Sequence, residues 1–208
     1  MTEPALLDSL NGQQYLVLRP QGEIESFWDV SRDSINRSTH QQVTYPNSGH
    51  VTLRGFFEPH RVDELKDALR EWAVSQPPIA LSVDGVDGFP TPFQIVIARL
   101  ERTPSLIAAY ASLTSQLDST DFHRIGELPL DEWVFHLSLV YAGSLDETSW
   151  QALYDHSRQA LQTRPTEVIT GADFVWYADG VEHVETLPFA TEINGPLPRR
   201  STYRPGGF

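Results

Sequence analysis

The chain has 208 residues, of which 40% are apolar, so it is long enough to bury a core. Its formal charge of -13 should repel polyanions, so long nucleic acid is not an expected partner. The absence of cysteine excludes disulfides, thiolate catalysis and cysteine zinc sites. Because the N-terminus shows no basic region followed by an apolar run, and no stretch of about eighteen apolar residues occurs, we expect a cytoplasmic protein.

Strands and helices alternate along the first half of the sequence. Alternating apolar residues predict strands at 14–19, 50–57, 79–86 and 93–100, and helical spacing predicts helices at 23–37 and 59–75. Pro59 suits a first helical turn, and Pro77 and Pro78 end the second helix.

The second half repeats this order of elements. It contains a predicted helix at 104–117, a strand at 133–141, a helix at 146–162 and strands at 166–176 and 181–189. An offset of 86 residues carries His50 onto His136, and it also carries the helix after His50 and the strand at Ile79 onto their counterparts. An internal duplication accounts for this repeat.

Each half has one strand with a histidine and a hydroxyl residue two positions apart. These strands begin His50-Val51-Thr52-Leu53 and His136-Leu137-Ser138-Leu139. Side chains alternate between the faces of a strand, so each histidine shares a face with its hydroxyl residue. The intervening apolar residues are expected to be buried on the other face. A groove between two lobes would then be lined by both polar pairs.

Two imidazoles and two hydroxyls suit phosphoryl transfer to water without a metal. An imidazole can act as acid or base near neutral pH. One of His50 and His136 would take a proton from water while the other protonates the leaving oxygen. Thr52 and Ser138 would donate hydrogen bonds to the non-bridging oxygens.

The two motifs resemble the paired H-x-[ST]-x signatures of the two-histidine (2H) phosphoesterase superfamily. This superfamily includes 2',5' RNA ligase-like proteins and 2',3'-cyclic-nucleotide phosphodiesterases. The similarity runs from Tyr15 to Phe189. The sequence from His136 to Tyr141 is also similar to the second motif of plant and fungal cyclic phosphodiesterases, in which the tyrosine lies at the substrate. The resemblance therefore implies a substrate-binding role for Tyr141, although strict alternation from His136 would place it on the wrong face unless a bulge or the strand end re-aims it.

The expected fold is α+β, with two pseudo-symmetric lobes of antiparallel sheet, outer helices and a groove between the lobes. Residues 1–192 are expected to form one bilobal domain with interleaved lobes, and 193–208 a mobile tail rich in proline and glycine. We expect a monomer that needs no metal or other cofactor.

The expected function is hydrolysis of a nucleoside 2',3'-cyclic phosphate or a related ribose cyclic phosphate. The catalytic residues would be His50 and His136, and Thr52, Ser138 and Tyr141 would bind the substrate. Two alternatives stay open. One is a non-catalytic protein that binds nucleotides or RNA ends, and the other is 2',5' RNA ligase-like activity on an RNA end.

Several other residues also have predicted roles. Arg54 could hold a phosphate or form a salt bridge at the end of its strand. Trp133 could contact a base. Asp84 and Asp87 are interpreted as turn formers. The remaining histidines are expected on the surface or in loops; these are His40, His60, His123, His156 and His183.

Overall fold

The computed structural model describes residues 9–39 and 43–190, which form an α+β fold. The strands are β1 (Gln13–Leu18), β2 (Val51–Phe57), β3 (Ile79–Phe89), β4 (Ile95–Leu100), β5 (Arg124–Ile125), β6 (His136–Tyr141), β7 (Gln159–Ala160), β8 (Thr166–Ile169), β9 (Gly171–Ala178) and β10 (Val181–Pro188). The helices are α1 (Glu23–Ser38), α2 (Val62–Ser75), α3 (Pro104–Leu117) and α4 (Glu147–Ser157).

One antiparallel sheet connects both halves of the protein, in the order β10-β9-β1-β2-β6-β4-β3-β7. The two histidine strands, β2 and β6, are neighbours at its centre and are paired where Val51 lies opposite Leu137. Strand β3 crosses to pair with β4 in the second lobe, whereas β9 and β10 join β1 in the first lobe. Strands from both halves of the sequence therefore contribute to each side of the sheet.

The helices pack on one face of this sheet. Trp28 of α1 donates its indole N–H to the backbone carbonyl of Ser138 on β6 at 2.7 Å, and Tyr110 of α3 lies against Arg54 of β2. Helix α2 packs on β9 and β10, and α4 packs on β3. Val51 and Leu137 are fully buried under these helices. The opposite face carries His50, Thr52, His136 and Ser138, and we call it the histidine face.

A β-bulge interrupts each histidine strand at an equivalent position. On β2, Leu53 is an extra residue between the positions that pair with Leu16 and Val17 of β1. On β6, Leu139 is the extra residue between the positions that pair with Val96 and Ile97. The two leucines are 86 residues apart, so the bulges repeat with the duplication.

The structure corrects several predicted boundaries. The predicted strand 166–176 is two strands, because β8 pairs with β3 in the second lobe and the chain then crosses to pair β9 with β1. The predicted helix 146–162 ends at Ser157, and the short strand β7 follows. Strand β3 continues to Phe89, three residues beyond its predicted end.

Some expectations lie outside the described residues or are not tested. The predicted tail at 193–208 and His40 lie outside the described ranges. The assignment of 1–192 to one domain stays a prediction, as do the monomeric state and the cytoplasmic location. Within 9–39 and 43–190, no helix is both long and apolar enough to cross a membrane.

Candidate functional site

The centre of the sheet brings the two predicted motifs together on one face. Because the middle residues of the motifs lie opposite each other in an antiparallel pair, His50 falls beside Ser138, and Thr52 falls beside His136. Cross-strand neighbours of this kind have Cβ atoms about 5 Å apart. All four side chains are half-buried. The structure thus places both imidazoles and both hydroxyls within reach of one small ligand.

Each imidazole ring forms a hydrogen bond to the backbone two residues before it. Nδ1 of His136 lies 2.8 Å from the carbonyl oxygen of Val134. A carbonyl group can only accept, so Nδ1 carries the proton and Nε2 is left for a ligand. His50 also has a hydrogen bond to the backbone of Ser48, which raises its pKa and therefore marks the ring as the donor. In each case the acceptor is two residues before the histidine.

Burial lowers the pKa of both imidazoles below the usual value of a histidine, because desolvation disfavours the charged form. For His50, the positive charge of Arg19 lowers the pKa further, and His136 adds a smaller effect in the same direction. The hydrogen bond to Ser48 and the negative charge of Glu182 act against this shift. Both rings therefore favour the neutral form when the histidine face holds no anion.

The bulge on β6 re-aims Tyr141. Ile97 lies opposite Ser138, and Ile95 lies opposite Tyr141. Ile95 and Ile97 share one face of β4, because they are two residues apart. Tyr141 therefore lies on the same face as Ser138 and His136, and 37% of its surface is exposed. The sequence left open whether a bulge re-aims Tyr141, and the structure shows that it does.

Arg54 lies on the opposite face from Thr52, although two residues separate them. The bulge at Leu53 turns the Arg54 side chain under α3, where it is fully buried. Its guanidinium donates to Glu127, to the hydroxyl of Tyr110 at 3.1 Å and to that of Thr114 at 2.6 Å. The salt-bridge interpretation is therefore confirmed, and the phosphate-binding one is wrong because the side chain does not reach the histidine face.

Two further interpretations need correction. Trp133 packs against Tyr110 with ring centroids 5.3 Å apart, on the side of the core, so it is not placed to contact a base at the histidine face. Asp84 and Asp87 lie within β3 rather than in a turn, and each forms an ion pair of 2.7 Å with Arg99.

The described histidines outside the motifs lie away from this cluster. His60 is in a turn, and His156 is on the exposed side of α4. The ring of His123 contacts Phe57, and that of His183 stacks on Trp176. His183 lies on a strand rather than in a loop.

Sequence reasoning missed two residues that contact the histidine neighbourhood. Arg19 lies just beyond β1, beside His50, and Phe89 packs its ring edge-to-face with His136 at a centroid distance of 4.9 Å. Val17 pairs with Thr52, so Arg19, two residues later, also lies on the histidine face. The alternation of β1 could therefore have predicted the position of Arg19 from the sequence. Phe89 could not be placed, because its contact depends on β3 crossing into the second lobe.

The described ranges contain no group of three His, Asp or Glu side chains that could hold a metal ion. The arrangement instead offers two imidazoles for proton transfer and two hydroxyls for hydrogen bonding to an anion.

The sequence profile of the 2'-5' RNA ligase superfamily matches residues 20–180, which include both motifs. The chain belongs to this superfamily, whose members act on phosphodiester bonds, as the resemblance implied. No curated protein sequence matches the chain significantly.

Solved structures of low sequence identity share the fold. TT0787 of Thermus thermophilus is 15% identical and superposes with a TM-score of 0.64 over 86% of this chain and 99% of its own. LigT of E. coli, crystallised with 3'-AMP, gives 16% identity and a TM-score of 0.54 over 85% and 94% of the two chains. Usb1 of Kluyveromyces marxianus is 14% identical and superposes with a TM-score of 0.56 over 87% of this chain and 100% of its own.

Proposed function

We propose that the protein is a metal-independent cyclic phosphodiesterase that hydrolyses a nucleoside 2',3'-cyclic phosphate, or a related ribose cyclic phosphate, to a phosphomonoester. The observation that carries this proposal is the placement of His50 and His136 on one face, each beside a hydroxyl residue of the other strand. Both rings are also tied to a backbone carbonyl, so they are pre-oriented for proton transfer.

The reaction needs one neutral and one protonated imidazole. The neutral ring takes a proton from water as the water oxygen bonds to phosphorus. The bond from phosphorus to one ribose oxygen breaks, and the protonated ring gives its proton to that oxygen. Thr52 and Ser138 hydrogen-bond the non-bridging oxygens, where negative charge builds up. Tyr141 borders the same face and binds the nucleoside part of the substrate.

A protein of the same fold gives this proposal chemical context. E. coli LigT has been crystallised with 3'-AMP, a phosphomonoester of the kind that such hydrolysis releases. The superfamily's description also favours a second candidate, the ligation of RNA ends. In that reaction a ribose hydroxyl replaces the attacking water, and the same two histidines exchange the protons.

The test is turnover of the four nucleoside 2',3'-cyclic phosphates by the purified protein in excess EDTA, followed by phosphorus NMR. We expect conversion of at least one substrate to a phosphomonoester. Loss of turnover in EDTA, with recovery on adding Zn²⁺, Mn²⁺ or Mg²⁺, would overturn metal independence. Binding that protects every substrate without consuming it would show a binding protein instead.

A further inference from the structure

The two histidines share their backbone bonds but differ in their next neighbours. Leu18 lies opposite Val51 in the β1–β2 pair, so the following residue, Arg19, falls beside His50. On the other side of the site, Arg99 of β4 lies opposite His136. Each histidine thus has an arginine opposite it, on the side of its strand away from the other histidine strand. The contacts of the two arginines are different.

Arg19 is connected to His50 through Ser48. Its Nη1 donates to the Ser48 hydroxyl at 2.7 Å, and the backbone of the same serine is bonded to the His50 ring. The rest of the guanidinium is held by Asp173, at 2.9 Å from Nε, and by Glu182, at 3.9 Å from Nη2. A planar guanidinium fixed at several points holds the loop that orients His50.

The loop before His136 is held by a different arginine, Arg102, which donates to the backbone carbonyls of Trp133 and Leu130 at 2.9 and 2.7 Å. The charge of Arg102 is not among the causes of the lowered His136 pKa. The position that corresponds to Ser48 in the second half is Val134, which has no hydroxyl. Arg99 binds Asp84 and Asp87 instead, at 2.7 Å each. The duplication therefore kept the carbonyl that orients the ring, but an arginine also lowers the pKa of the imidazole at His50 and not at His136.

We propose that Arg19 and Ser48 form a positioning pair for His50 and that this pair makes His50 the imidazole that takes the proton from water. The proposal rests on the proposed function. Arg19 faces His50 from β1 and favours the neutral ring, while Glu182 of β10 and His136 of β6 are the other titratable groups around it. Asp173 of β9 is paired with Arg19 and reduces its charge effect without removing it.

The test combines a histidine NMR titration with kinetics on three variants. Arg19→Gln removes the cation, so it should raise the pKa of His50 and leave that of His136 in place. The acidic limb of kcat/KM should move to higher pH with it. Arg19→Lys keeps the positive charge but replaces the planar guanidinium with a single ammonium group, so the His50 pKa should stay low. Ser48→Ala should lower kcat roughly 10-fold with little change in KM, because the ring is less well oriented.

Arg61→Gln is the control, since it removes a partly exposed arginine whose partners, Glu64 and Asp121, are exposed. This variant should leave the pKa of both histidines unchanged. Thermal unfolding of every variant checks that it is folded. The proposal is overturned if Arg19→Gln leaves the His50 pKa unchanged in a folded protein, or shifts both histidines equally. The titration needs no substrate, so a wild type without turnover would contradict the proposed function and leave this test intact.

Discussion

Leu53 and Leu139 are each the extra residue of a β-bulge three positions after a histidine. Each bulge reverses the face of the residues that follow it. On β2 the reversal buries Arg54 under α3, whereas on β6 it brings Tyr141 out onto the histidine face. The same backbone feature therefore supplies an ion pair to the core in one half and an aromatic side chain to the site in the other.

Tyr141 should contribute to substrate binding rather than to proton transfer. Tyr141→Ala is expected to raise KM on the order of 10-fold with a small effect on kcat, because an aromatic platform under a base contributes about 1 to 3 kcal/mol. Tyr141→Phe keeps the ring and should behave like the wild type. Steady-state kinetics at one pH decide the matter, and a Tyr141→Ala variant with unchanged KM would place the substrate elsewhere.

Arg54 should matter for stability and not for binding. Arg54→Met breaks a buried ion pair and is expected to lower the free energy of unfolding by about 3 kcal/mol. Arg124→Met removes a more exposed arginine that pairs with the same carboxylate, Glu127. It should lower the free energy of unfolding by about 1 kcal/mol or less. Denaturant titrations measure both. A stable Arg54→Met variant that loses substrate affinity would contradict the burial of this side chain.

The sequence predicted the histidines, their hydroxyl partners and the duplication because these depend on local alternation and on spacing. It could not predict the directions of Arg54 and Tyr141 with certainty. A bulge depends on the pairing of a whole strand with its neighbour, and the apolar residues Leu53 and Leu139 carry no local sign of it. The environment of Phe89 likewise required the crossing of β3 into the second lobe, which is a tertiary property.

Anion binding should change the protonation of the site. Burial lowers the pKa of His50 and of His136 in the free protein. A bound phosphate favours the imidazolium, so millimolar phosphate should raise the pKa of both rings. Histidine NMR titrations with and without phosphate measure this, and His156, on the exposed side of α4, serves as an internal control. Equal titration curves in the two buffers would argue against an anion site between the motifs.

The same shifts predict a loss of stability in mild acid. The unfolded imidazoles bind protons near their ordinary pKa, whereas the folded ones bind only at lower pH. The unfolded state then holds more protons as the pH falls below about 6.5, so the free energy of unfolding decreases across that window. A double His50→Gln, His136→Gln variant should lose less stability between pH 7 and 5 than the wild type. Parallel pH profiles of stability for the two proteins would contradict the lowered pKa values.

The most direct test of the account is turnover by the histidine variants on a cyclic phosphate that the wild type hydrolyses. His50→Ala and His136→Ala should each lose roughly 10²- to 10⁴-fold in kcat/KM, since each removes one proton-transfer group. The double variant should be little worse than either single one, because the two groups act as a unit. His156→Ala, the matched control on α4, should retain full activity. Near wild-type turnover in both single variants would contradict the two-histidine mechanism.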